Sequence, residues 1–183
     1  MVGFPEHESA PKARLTAASP RGYDEFVRDH QGRLLALGRS LTGSLEDGRD
    51  LAQEALLRAW LHWERVCELE RPEAWVRRVL LNLATSMWRK ARTRSNVSFP
   101  QEMEAPPGVD LDEVLDLLRA LEGLKPLQRY VLHRHYADGA EPAQIAEELG
   151  ENGNTVRSWL MRGRRSLATQ LRIAESSGSP EGD

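Results

Sequence analysis

Apolar residues recur at helical spacing almost without interruption from Tyr23 to about Arg94. Phe26, Leu34, Leu35, Leu37 and Leu41 form the stripe of a first helix, which closes near Thr42 and Gly43. Ser44 stands three residues before Asp47, the spacing of a helix cap, and opens a second helix. Leu51, Ala52, Ala55, Leu56, Ala59 and Trp60 then share one face, which the spacing predicts to be buried. Pro72 occupies an acceptable first-turn position of a third helix carrying Trp75, Val79, Leu80, Leu83 and Trp88.

The pattern breaks after Arg94. Pro100, Pro106, Pro107 and Gly108 punctuate a stretch with no helical period, which makes residues 95–112 a linker. Asp110 to about Glu122 reads as a short acidic helix. Leu127, Val131, Leu132 and Tyr136 then supply the stripe of a helix that residues 137–140 close. Pro142 to Leu149 is a second short helix, Gly150 to Gly153 a turn, and Asn154 to about Leu171 a third helix capped by Asn154 or Thr155. Composition makes residues 1–20 a disordered arm and 174–183 a disordered tail. The expected fold is all-α: two small helical domains, 21–94 and 113–173, joined by a flexible acidic linker. Each would bury a core of three or four helices.

Composition agrees with helices: 29% of residues are charged and only 6% aromatic. The single Cys67 excludes an internal disulfide and a cysteine-based zinc site, and fits a reducing cytoplasm. No apolar run approaches the ~20 residues that cross a bilayer, so no membrane insertion is expected. A net charge of −3 argues against an avid free DNA binder, but the charge is unevenly placed. Val76 to Arg94 holds six basic residues and no acid, and Asn154 to Arg172 holds five and no acid. Between them, Gln101 to Glu122 carries seven acids against Arg119. Two basic patches flanking an acidic stretch point to two polyanion contacts that tune each other.

Residues 141–160 have helix-turn-helix spacing. Ile145, Ala146 and Leu149 face inward, and Gly150 tolerates the positive φ of the turn. On the following helix Val156, Leu160, Leu167 and Leu171 share one side, with Arg157, Ser158, Met161, Arg162 and Arg165 opposite. Such a helix fits the major groove, where an arginine reads a guanine edge through two hydrogen bonds. A merely solvated basic face would not need the inward pair, turn glycine and cap as well.

Two blocks resemble the sigma-70 family, in its short extracytoplasmic-function group. Residues 50–60 with 72–84 are similar to sigma region 2, and residues 124–132 with 144–150 and 155–158 to sigma region 4. The resemblance implies a transcription initiation factor that binds core RNA polymerase at the β′ coiled coil and the β-flap. It also implies promoter DNA as a partner, read at −10 and −35 elements, and an anti-sigma factor as one the family often uses. Asp50, Gln53, Glu54 and Leu57 recur at i, i+3, i+4 and i+7 as an outward ridge suited to a polymerase helix bearing arginine. Trp75, Arg78, Asn82, Arg89 and Lys90 are the expected −10 contacts, combining stacking surface with positive charge. Thr155, Arg157, Ser158, Met161, Arg162 and Arg165 are the expected −35 contacts. Gly163 stands where the family commonly has alanine, at a cost to the helix of about 1 kcal/mol.

The competing reading is a dimeric helix-turn-helix regulator that binds operators directly. It would need a ligand or phosphorylation module, and residues 23–94 resemble neither. An enzyme fits less well. His133 and His135 lie two apart on a helix and face different ways, which disfavours a shared metal. Glu147 and Glu148 read as an acidic run on a helix surface. No glycine loop cradles phosphate, so no catalytic residue, metal or cofactor is expected.

Overall fold

The computed structural model describes residues 20–93, 121 and 123–177, and every regular element in them is a helix. In chain order these are α1 (Tyr23–Thr42), α2 (Leu45–Leu61), α3 (Trp63–Val66), α4 (Pro72–Thr93), α5 (Pro126–Tyr136), α6 (Pro142–Leu149) and α7 (Gly153–Ser177). Most of the arm, the linker, the acidic helix apart from Leu121, and the end of the tail lie outside the described residues.

The joint between α1 and α2 follows the sequence signals. Gly43 adopts φ 78°, its N–H donates to the Arg39 carbonyl, and Ser44 Oγ accepts from the Asp47 N–H at 3.2 Å. Two glycines bring the helices together. A Cβ on Gly48 would lie 2.5 Å from the Arg39 nitrogen and 2.7 Å from its Cα, and one on Gly38 would run into the Gly48 carbonyl. The backbones therefore touch where any side chain would hold them apart. Beneath this joint Thr42 is buried, its Oγ1 3.0 Å from the Gly38 carbonyl and accepting from the Ser44 N–H at 3.2 Å.

Phe26, Leu34, Leu37 and Leu41 of α1 bury against Leu51, Ala52, Ala55 and Ala59 of α2, and Val76, Leu80, Leu81 and Ala84 of α4 complete this core. The short α3, which the periodicity did not predict, seals one end. Its Trp63 donates Nε1–H to the Arg21 carbonyl at 3.0 Å and packs edge-on to Tyr23 with ring centres 5.2 Å apart. In the second unit Leu124, Tyr130, Val131, Leu132, Ile145, Ala146, Leu149, Val156 and Leu160 are buried.

Four expectations about these helices need correction. Leu35 is exposed, because it lies about 100° around the helix from Leu34, off the buried line. Tyr136 is exposed too, since α5 ends there and the chain turns away; Tyr130 takes the inward place. The cap of α7 is Asn152, whose Oδ1 accepts from the Asn154 N–H at 2.8 Å, so the helix starts before Asn154 and Thr155. At the other end α7 runs to Ser177, six residues past Leu171 and into the expected tail, because no glycine or proline stops it before Gly178. The two helical units are those expected, and they pack on one another. α5 packs on α1 and α4, α6 on α4, and the buried residues of both units form one continuous cluster.

Candidate polymerase and nucleic-acid interfaces

α7 presents the second basic face. Asn152 caps it, Val156 and Leu160 hold it to the core, and Arg157, Ser158, Met161, Arg162 and Arg165 are exposed on the far side, with Thr155 half-buried at its start. Local bonds stiffen part of this face. Arg157 Nη1 donates to Asn154 Oδ1 at 2.8 Å, and Arg162 Nε reaches the Ser158 carbonyl at 3.3 Å. α6 supports it from below. Its N-terminus has Pro142 in the first turn with Gln144 Oε1 accepting from the Glu141 N–H at 2.9 Å, and it ends on Gly150 at φ 68°. Gly163 is explained here: it is buried, and a Cβ there would lie 3.2 Å from Leu132 Cδ1 of α5.

On α2 the ridge stands as the spacing requires. Asp50, Gln53 and Leu57 are exposed and Glu54 is partly so, while Leu51, Ala52, Ala55 and Ala59 are sealed on the other side. Glu54 pairs with Arg58 at 2.8 Å, an exposed i,i+4 contact worth a few tenths of a kcal/mol and readily exchanged for a partner's cation.

The first basic face, on α4, is divided. Asn82, Arg89 and Lys90 are exposed, and Trp75 is half-buried against the core. Arg78 is engaged within the chain: its Nη1 donates to the Leu149 carbonyl at 2.6 Å. That carbonyl ends α6, where backbone acceptors lack helical partners and the helix dipole is negative. Arg129 of α5 returns the arrangement, donating from Nη1 to the Leu41 carbonyl near the end of α1 at 2.9 Å. Each unit thus caps a helix of the other with an arginine.

Between these caps lies a buried ionic cluster. The Glu148 side chain has no solvent exposure, which corrects its reading as part of an acidic surface run. One of its oxygens accepts from Arg77 Nε of α4 at 2.5 Å and from the Tyr130 hydroxyl. The other accepts from Arg134 Nη2 at 3.1 Å and Nε at 3.3 Å. Arg134 also donates to Asp138 Oδ2 at 2.6 Å. Glu147 does lie on the surface, paired across the units with Arg71 at 3.2 Å. Burial, reinforced by the Glu148 charge and its hydrogen bond, raises the Tyr130 pKa, so the phenol is a donor at all ordinary pH. Burial pulls the Arg134 pKa down, but Glu148 and Asp138 outweigh it and hold the guanidinium above its usual range. For His133 burial wins: its pKa falls although Asp138 lies 3.9 Å away, and the Arg134 charge adds to the fall.

Sequence reasoning missed Arg77, Arg129, Tyr130, Arg134 and Glu148. For Glu148 a signal existed, because it lies three residues after the inward Ile145 and one before the inward Leu149. Among the described residues no group of three or more histidine, cysteine or carboxylate side chains could hold a metal, and no helix is long and apolar enough to cross a membrane.

Two packed helical units, one carrying a helix-turn-helix and each showing a basic face, define a class of DNA-binding protein. The particular family follows from comparison with known proteins. Residues 26–94 match the model of sigma-70 region 2, and residues 115–167 that of sigma-70 region 4. The RNA polymerase sigma-E factor of Streptomyces coelicolor is 32% identical over 152 residues, covering 81% of this chain and 85% of that protein. The ECF RNA polymerase sigma factor SigL of Mycobacterium tuberculosis is 36% identical over 156 residues, with 81% and 86% covered. The sigma factor RpoE of Bartonella quintana, solved in complex with the anti-sigma factor NepR, superposes with a TM-score of 0.68 at 23% identity, covering 84% of this chain and 99% of that one. The chain belongs to the sigma-70 family of RNA polymerase sigma factors, in its extracytoplasmic-function group.

Proposed function

We propose that this chain binds core RNA polymerase in the cytoplasm and brings it to specific promoters, acting by recognition alone with no chemical step. Asp50, Gln53, Glu54 and Leu57 dock on the β′ coiled coil. Trp75, Arg78, Asn82, Arg89 and Lys90 hold the opened −10 strand. Thr155, Arg157, Ser158, Met161, Arg162 and Arg165 enter the major groove at −35, while the β-flap supports the second unit. An anti-sigma factor is a further proposed partner, by analogy with the complex of RpoE and NepR.

The observation that carries this reading is the α2 ridge. Leu57, 40% accessible, shares one outward line of α2 with Asp50, Gln53 and Glu54, so the helix offers an apolar contact beside acids, which suits a partner helix bearing arginine. The test is Asp50→Lys with Glu54→Lys. Exposed substitutions usually change stability by less than about 0.5 kcal/mol, so the thermal melt should hold. Capture by core polymerase and run-off transcription should be lost, because a like-charge contact in a docked interface costs several kcal/mol. Leu51→Asp, which buries a charge in the first core, is the unfolding control. A folded double variant that still joins core polymerase normally would remove the ridge from the mechanism.

A further inference from the structure

We infer that the cleft between α1, the entry to α4 and the α5–α6 turn is a binding site for the phosphate groups of a small molecule. None of its lining residues has a part in the polymerase or promoter contacts proposed above.

The cleft encloses about 350 Å³, the space of roughly a dozen water molecules and within the range of pockets that hold small ligands. Its walls are polar. Arg33 comes from α1, Arg71, Glu73 and Arg77 from the entry and first turns of α4, and Arg134 and Asp138 from α5 and the turn after it. Four arginines against two carboxylates give the lining an excess of positive charge. Leu34 and Ala140 are its apolar part, too little to hold an uncharged organic ligand. His30, its ring packed on Phe26 with centres 4.6 Å apart, completes the α1 wall.

An ordinary ion-paired surface leaves few donors over; this cleft leaves many. Arg134 is spent, with Nε and Nη2 on Glu148 and Nη1 on Asp138, and contributes charge alone. Arg77 makes a hydrogen bond only through Nε, to Glu148, and Arg71 only through Nη1, to Glu147. Glu73 stands 3.7 Å from Arg71 Nε and 3.7 Å from Arg77 Nη2, beyond hydrogen-bond range of both. Arg33 is exposed and has no hydrogen bond or ion pair among the described residues. Gln144 caps α6 with Oε1, which leaves its amide N–H groups to donate. No buried side-chain nitrogen or oxygen among the described residues lacks a hydrogen bond, so these spare N–H groups are ones that solvent reaches. A carboxylate would occupy two of them. A phosphate carries three acceptor oxygens and up to two charges, and guanidinium forks from different helices match it better. Glu73 is then the loosely held counter-charge that the phosphate displaces. A recess of this volume takes a small molecule and not the backbone of a duplex.

The test titrates the full chain with inorganic phosphate, pyrophosphate and adenosine 5′-diphosphate by calorimetry, at about 0.15 M salt so that exposed charges are screened. Pyrophosphate or the nucleotide should bind one per chain and raise the melting midpoint as its concentration passes Kd. Tighter binding of the nucleotide would identify an organic phosphate as the ligand, and equal binding a free one; both support the site. Arg33→Ala should weaken binding about tenfold, the loss of one charge-assisted hydrogen bond. Arg28→Ala removes the same charge from an exposed position of α1 outside the cleft and should leave the affinity near that of wild type. Glu73→Gln removes the displaced counter-charge and should tighten binding. Gln144→Glu keeps the acceptor that caps α6 while placing a carboxylate in the cleft, and should weaken binding from the second unit's side. Arg33 and Gln144 are both exposed, so these variants should fold, which far-ultraviolet dichroism checks. Absence of saturable binding by any of the three probes up to about 1 mM, the upper end of ordinary metabolite affinities, would overturn the site. So would wild-type affinity in Arg33→Ala and Gln144→Glu, or an equal loss in Arg28→Ala and Arg33→Ala, which would reduce the effect to net charge. Polymerase capture, which tests the α2 ridge, is read separately, so either proposal can fail alone.

Discussion

Glu148→Ala is the substitution that most directly probes how the second unit is held. The carboxylate is fully buried and accepts from Tyr130, Arg134 and Arg77. Removing it leaves two guanidiniums and a phenol without their shared acceptor. Breaking a buried pair by deleting one partner costs about 3–5 kcal/mol. Arg134 keeps Asp138 at 2.6 Å, which places the cost at the low end, about 3 kcal/mol. Tyr130→Phe removes a single hydrogen bond to a charged acceptor, about 1.5 kcal/mol, and leaves both arginines in place. At roughly 4 °C per kcal/mol for a cooperative unit of this size, the midpoints should fall by about 12 °C and about 6 °C. The combined variant should cost clearly less than the two losses together, because the phenol has already lost its partner in Glu148→Ala. Urea unfolding followed by dichroism, with thermal melts alongside, gives all three values. A Glu148→Ala loss below about 1 kcal/mol, or strict additivity with Tyr130→Phe, would show that the carboxylate is not the hub of this cluster.

Other expectations are equally direct. On the α7 face, Arg162→Ala should weaken holoenzyme binding in a way that depends on the −35 base pairs, by about 1–3 kcal/mol on the preferred site, whereas Arg165→Ala should weaken all sites alike and flatten the salt dependence. Competition between −35 variants on gels reads this, and equal loss on every variant for Arg162→Ala would move base reading to another residue. His133 has a folded pKa below its unfolded value, so its contribution to stability is present above about pH 6.5 and is lost as the pH falls through that range. The urea midpoint should therefore drop on acidification, and His133→Gln should reduce that slope. At the α1–α2 joint, Gly48→Ala gains about 1 kcal/mol of helix propensity but drives a methyl into backbone atoms of Arg39, so a net loss of about 2 kcal/mol is expected from chemical denaturation.

The sequence was most legible where one physical signal acts over a short range. Helical period, the Ser44 cap, Pro72 and Pro142 in first turns, and the turn at Gly150 placed six of the seven helices, and the exposed line of α2 followed from period alone. Errors gathered where a second element decides the outcome. Leu35 and Tyr136 are apolar or aromatic, yet they miss the buried line because of rotation in one case and helix termination in the other. Gly38 and Gly48 carry no pattern in either helix taken alone; only their meeting gives them a role. Glu148 shows the limit most clearly. In isolation a glutamate beside another glutamate belongs on a surface, and burying its charge would be prohibitive. Arg134 and Tyr130 come from the preceding helix and Arg77 from a separate unit 71 residues earlier, and together they make that burial possible. Nothing local in residues 141–150 announces those partners. The same long-range meeting makes Arg78, an expected DNA contact, a helix cap, which the sequence of α4 alone could not disclose.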